Sequence, residues 1–137
     1  MKKLLSLLLA LTVLFTLSAC GSAKGNQAVA EAFGLDLEST KEQPMSEQRG
    51  ERDAIYAAVK GHFGDVTFFS SDSPFAKMTY EDLKALIGVD ATYYYYDEDA
   101  AAQTFVWETC HYENAKVAFF FRFDELYCRS AINMKDY

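Results

Sequence analysis

Residues 116–129 read Lys-Val-Ala-Phe-Phe-Phe-Arg-Phe-Asp-Glu-Leu-Tyr-Cys-Arg. Two aromatic, strand-forming runs flank Asp124-Glu125, the pattern of a β-hairpin with a tight turn. If Phe123 pairs with Leu126 across that turn, Phe121 faces Cys128, Phe119 faces Ser130 and Val117 faces Ile132. Side chains alternate along a strand. Val117, Phe119, Phe121, Phe123, Leu126, Cys128 and Ile132 then share one face, with Phe105 and Trp107 joining them from a preceding strand. This is the expected core face. The opposite face carries Val106, Glu108, Cys110, Ala118, Phe120, Arg122, Tyr127 and Arg129, with two of the four tyrosines Tyr93 to Tyr96. Aromatic residues mixed with Arg and Glu have the makeup of a binding surface. The other reading is that an N-terminal segment or an extra helix covers this face.

Working outward, strands are expected at Thr92–Tyr96, Thr104–Cys110, Lys116–Phe123 and Leu126–Asn133, with Asp97-Glu98-Asp99 in an acidic turn after the first. Met78 to Gly88 predicts a short helix: Thr79 is an N-cap, Asp82 closes a capping box, Met78 and Leu83 form a hydrophobic staple, and Gly88 ends it. Leu83, Leu86 and Ile87 give its buried face. A longer helix is expected over Glu51–Phe63, where Ile55, Val59 and Phe63 recur at helical spacing. Its acidic start (Glu51, Asp53) and its end at Lys60 and His62 suit the helix dipole. Val66–Phe69 reads as a short extended piece before a Ser-Asp-Pro loop. The expected class is α+β: two helices packed on one face of a four-stranded antiparallel sheet, occupying residues 51–137.

The first 50 residues read differently. Met1 to Ala19 has a basic start at Lys2 and Lys3, an apolar middle and a small-residue exit, the layout of a secretory signal. Its apolar run is short of the about 20 residues a membrane span needs. Leu17-Ser18-Ala19-Cys20 resembles the bacterial lipoprotein lipobox, which implies diacylglycerol on the Cys20 sulfur and cleavage before it. Two or more acyl chains make a stable anchor where one is marginal. Residues 20–50 are then a lipidated cysteine and a flexible tether: the segment is polar, has no sustained apolar period, and offers at most a short helix at Ala28–Phe33 ended by Gly34.

The formal charge is −7, and loss of Lys2 and Lys3 with the signal would make it more negative by two. An acidic domain is repelled by nucleic acid and by anionic lipid. Export permits disulfides. Strand parity, however, puts Cys110 and Cys128 on opposite faces of nonadjacent strands, so no bond between them is expected. His62 and His111 are the two histidines. Cys110 and His111 are adjacent, and alternation would point them apart, making a poor metal site or nucleophile–base pair. No glycine-rich phosphate loop or nucleophile elbow occurs. No metal, no cofactor and no catalytic residue is expected.

Met78-Thr79-Tyr80-Glu81-Asp82-Leu83 through Gly88, then Trp107, then the Phe-rich strand and its turn, resemble the small domain shared by the outer-membrane assembly lipoprotein BamE (SmpA/OmlA domain) and the β-lactamase inhibitor protein. Lys77 stands where that family has glycine, and Asp124-Glu125 where it has Asn-Gly. The resemblance covers roughly residues 51–133 and implies two helices on a four-stranded sheet and a protein-binding, non-enzymatic role. The expectation is a lipid-anchored, extracytoplasmic domain that binds a protein or peptide through Val106, Glu108, Phe120, Arg122, Tyr127 and Arg129. The alternatives are a structural scaffold in envelope assembly and an envelope-acting enzyme using His111 or the acidic turn.

Overall fold

The computed structural model describes residues 25–112 and 114–134. The expected signal segment and Cys20 lie outside the described residues. The class is α+β. A five-stranded antiparallel sheet runs in sequence order from β1 (Gln43–Pro44) through β2 (Tyr93–Asp97), β3 (Ala102–Glu108) and β4 (Lys116–Arg122) to β5 (Glu125–Ile132). Among the described residues three α-helices accompany it: α1 (Gly25–Phe33), α2 (Arg52–Phe63) and α3 (Tyr80–Ile87), with a 3₁₀ turn at Pro74–Lys77.

The helices follow from local sequence. The Thr79 hydroxyl accepts the Asp82 N–H, and the Asp82 carboxylate accepts the Thr79 N–H in return, at 3.2 and 2.9 Å. Gly88 ends α3 in the left-handed conformation (φ 98°), which glycine adopts without a Cβ penalty. In α2 the residues spaced four apart, Ile55, Val59 and Phe63, are all buried. The core lies between these helices and one sheet face. Phe105, Trp107, Val117, Phe119, Phe121 and Leu126 are essentially inaccessible there, and Tyr80 of α3 is inserted among them. The Tyr80 ring stacks 5.7 Å from Trp107, whose indole N–H donates to the Val89 carbonyl at 2.9 Å. Burying such rings against one another dominates core energetics.

Three expectations are corrected. First, the segment before residue 51 is not a free tether over its described part. Val29 and Ala30 of α1 are buried, Phe33 meets Tyr80 edge-on at 6.3 Å, and Gln43–Pro44 pair with Tyr94 and Tyr93. Phe33, Leu35, Leu37 and Met45 pack against the core. Apolar residues scattered without a period can still anchor an irregular segment, and a periodicity search misses them. Second, the sheet consequently has a fifth strand, and the helix layer a third helix.

Third, the phase of β5 shifts. The turn of the last hairpin is Phe123-Asp124, both with positive φ (51° and 60°), and Arg122 pairs with Glu125. Two-residue hairpins favour turns with both central residues in this region, because their twist matches that of the strands. Phe123 is therefore fully exposed instead of in the core. A β-bulge follows: Phe121 faces Leu126 but Phe120 faces Cys128, so Tyr127 is an extra residue on β5. Beyond it, Arg129 faces Phe119 and Ala131 faces Val117. Cys128 and Ile132, expected in the core, lie on the opposite face, and Ile132 is 46% exposed. Arg129, expected on that opposite face, lies on the helix side. Its guanidinium donates to the carbonyls of Val66 (2.8 Å) and Gly64 (2.9 Å) and sits 5.6 Å from the Phe63 ring. It ties the end of α2 to the sheet edge. Thr67–Phe69 run along that edge: Arg129 N–H donates to Thr67 and Phe69 N–H to Tyr127. One edge of the sheet is thus the two-residue β1 and the other meets short irregular chain, which blunts both against edge-to-edge pairing.

Candidate functional site

The sheet has one face under helices and one that no described element covers. Strand pairing lays out a line of side chains across this second face: Tyr95 faces Thr104, Thr104 faces Phe120, Phe120 faces Cys128, and Cys128 bridges to Phe68. Directly paired residues present side chains on the same side. Alongside runs a second line, Pro44, Tyr93, Val106, Ala118 and Ser130.

The bulge supplies the centre of this surface. It places Tyr127 and Cys128, consecutive residues, on the same side. The Tyr127 ring meets Phe120 edge-on at 6.4 Å, and the Arg122 guanidinium lies 4.2 Å above it. Arg122 also donates to the Ala100 carbonyl at 2.7 Å, so the cation is held over the ring from the far side of the β2–β3 turn. Arg–aromatic stacking of this kind is favourable even where exposed. Tyr93 and Tyr95 stack at 6.3 Å, and Lys116 donates to the Tyr93 hydroxyl at 3.2 Å. That hydrogen bond raises the Lys116 pKa. Burial raises the pKa of Tyr95, Tyr127 and Cys128. A thiol pushed in that direction is a poor nucleophile at neutral pH.

At one margin the surface hollows. A depression of about 360 Å³ is lined by Glu42, Pro44, Arg49, Tyr93 and Glu108, among others, and an Arg49–Glu108 ion pair of 2.8 Å sits at its rim. The acidic turn is self-contained: the Asp97 carboxylate accepts the Ala100 N–H at 3.0 Å. His62 packs against Phe63 and Phe75, at 4.9 and 5.6 Å.

Of the six residues expected to bind a partner, Phe120, Arg122, Tyr127 and Glu108 stand on the uncovered face with side chains at least partly accessible. Val106 is on this face but only 2% exposed, beneath its neighbours, and Arg129 is on the other face. Phe68, 73% exposed, was missed. The signal was the extended Val66–Phe69 run, but its pairing with β5 is a long-range contact that no local pattern announces. The parity argument against Cys110 and His111 also fails. β3 ends at Glu108, and His111 has φ 65°, so alternation no longer governs the two side chains.

No family model matches the chain, and no curated protein or solved structure was found to be similar to it. The fold is an α+β domain whose aromatic sheet is, among the described residues, covered on one face. Among the described residues no helix is long and apolar enough to cross a membrane.

Proposed function

We propose that this chain is a lipid-anchored, extracytoplasmic, non-enzymatic domain that binds a protein or peptide partner across the uncovered sheet face. The carrying observation is the accessible line Phe68–Cys128–Phe120, with Tyr127 and its stacked Arg122 beside it. Interface hot spots are enriched in Tyr and Arg, and large aromatic surface left uncovered on a domain marks an interaction site. The face carries Arg122 at one end of β4 and, at the other, Lys116 directly paired with Glu108, a mixed-charge makeup that suits a polypeptide partner over a polyanion. The resemblance to the BamE and β-lactamase-inhibitor domain supports the same reading, and the lipobox-like Leu17-Ser18-Ala19-Cys20 supports the anchor and location.

The test is site-specific photo-cross-linking in intact cells. A photoreactive residue at Phe68 or Tyr127 should yield one discrete protein adduct, and the same residue at Lys84 on α3 should not. Adduct formation from Lys84 alone would refute a sheet-face interface. Mass spectrometry of the N-terminal peptide should find acyl-modified Cys20. A free Cys20 thiol would remove the anchor from the reading.

A further inference from the structure

The Glu51 carboxylate, the Cys110 sulfur and a His111 ring nitrogen have ligand atoms all within 4.8 Å of one another. They come from two separate parts of the chain, and the backbone locks those parts together. Gly50 bridges Thr109 in parallel, and the Cys110 N–H donates to the Gly50 carbonyl at 2.9 Å. The Cys110 thiol donates to the Arg49 carbonyl at 3.0 Å, turning the sulfur toward residues 49–51. On the other side, Thr109 fixes the start of the His111 turn, its N–H and hydroxyl both donating to the Ala115 carbonyl, at 3.0 and 3.1 Å. His111 takes φ 65°, and this left-handed conformation swings the imidazole to the side of the sulfur. Glu51 is the N-cap of α2 yet makes no side-chain capping bond; its carboxylate instead lies 3.8 Å from the imidazole.

We propose that Glu51, Cys110 and His111 form a three-donor site for a transition-metal dication of the zinc class, with a fourth position open to water or to a donor from a partner. One thiolate, one imidazole and one carboxylate is a donor set suited to Zn²⁺ or Co²⁺ and unsuited to the hard cations Mg²⁺ and Ca²⁺. Tetrahedral bonds of about 2.0–2.3 Å place donor atoms roughly 3.5 Å apart. Closing from the present spacing needs only rotations of Glu51 and His111, whose side chains are 67% and 77% exposed. The arginines that flank Glu51 in the chain have partners of their own: Arg49 pairs with Glu108, and Arg52 pairs with Asp53 and lies 3.7 Å over the Tyr112 ring. Binding converts the thiol to a thiolate and releases its proton to solvent, with no redox change.

The test is titration of the full-length chain, in detergent with a phosphine reductant, with Co²⁺ followed by displacement with Zn²⁺. One equivalent of Co²⁺ should produce a thiolate-to-cobalt charge-transfer band that Zn²⁺ abolishes. Cys110→Ser should lose the band, whereas Cys128→Ser and Cys20→Ser should keep it. Glu51→Gln and His111→Asn should each weaken binding by at least about tenfold. Asparagine tolerates the left-handed backbone at 111, so that variant removes the imidazole and keeps the turn, and circular dichroism checks the fold of each. Absence of the band in the wild-type chain, its persistence in Cys110→Ser, or unchanged affinity in both Glu51→Gln and His111→Asn would overturn the site.

Discussion

Phe119 and Phe120 are covalent neighbours on β4. Phe119 is 0% exposed, its ring 5.7 Å from Phe63 of α2, while Phe120 is half-buried with Tyr127 beside it and no described element above it. The difference runs across the whole sheet. On the helix side, Tyr94, Phe105, Trp107, Phe119 and Phe121 interlock with Tyr80 and Phe63 from the helices. On the other side a comparable aromatic content is arranged in ring–ring and Arg–ring pairs within one layer. Aromatic composition therefore does not distinguish a core from an uncovered face. What distinguishes them is whether a second layer closes over the rings, because stability scales with apolar area removed from water.

That contrast can be broken or sharpened by substitution. The largest effect is expected from Trp107→Ala, which removes a fully buried indole and orphans the Val89 carbonyl. It should cost about 3–5 kcal/mol, read from urea denaturation, with partner capture lost only through unfolding. Next comes alkaline pH. Burial, ahead of every other cause, raises the pKa of Tyr80, Tyr94 and Tyr95. A raised folded-state pKa means that the unfolded chain deprotonates first. Stability should therefore be flat through neutral pH and fall as pH rises past about 10, the ordinary tyrosine value. Tyr80→Phe should flatten that fall, although it also leaves the Asp90 carboxylate and Ala91 N–H without the hydroxyl between them. A denaturation midpoint that rises between pH 9 and 11 would contradict the burial of these phenols.

Arg129→Ala should cost about 1–2 kcal/mol, because the carbonyls of Gly64 and Val66 lose their donor. Hydrogen exchange should rise along residues 64–69 more than elsewhere. If this substitution instead impaired partner binding with stability unchanged, Arg129 would belong to the proposed contact surface after all. Thr79→Ala removes half of the capping box and should cost about 1 kcal/mol. Smallest in stability is Phe68→Ala, under about 0.5 kcal/mol for an exposed side chain, yet it should reduce cross-linking to a partner several-fold.

Much of this was legible in the chain itself. Ile55, Val59 and Phe63 announced α2 by their spacing, the Thr79–Asp82 box and Gly88 bounded α3, and alternation placed Phe105, Trp107, Val117, Phe119, Phe121 and Leu126 inside. Tyr80 was not foreseen as a core residue, since it sits in the first turn of a helix whose apolar stripe reads from Leu83. The pairing of β5 was lost at two points: the turn slides the register by two residues, which leaves each side chain on its face, and the bulge slides it by one, which does not. A turn centred on Phe123-Asp124 puts a phenylalanine in a conformation normally left to Gly, Asn or Asp, and the bulge at Tyr127 has no signature in composition. The bulge alone exchanged the faces of Cys128 and Arg129. The closeness of Cys110 to His111 and Glu51 was hidden for a related reason: strand alternation was carried past Glu108, where the strand ends. The anchoring of Val29, Phe33 and Met45 depends on pairing across more than 40 residues, beyond the reach of any local window.

The most direct measurement is the urea midpoint of Phe119→Ala against that of Phe120→Ala, in otherwise identical full-length chains. A sheet closed on one side and left uncovered by the described residues on the other predicts a loss of about 3–5 kcal/mol for the first and below about 1.5 kcal/mol for the second. Equal losses, or a larger loss at Phe120, would contradict it.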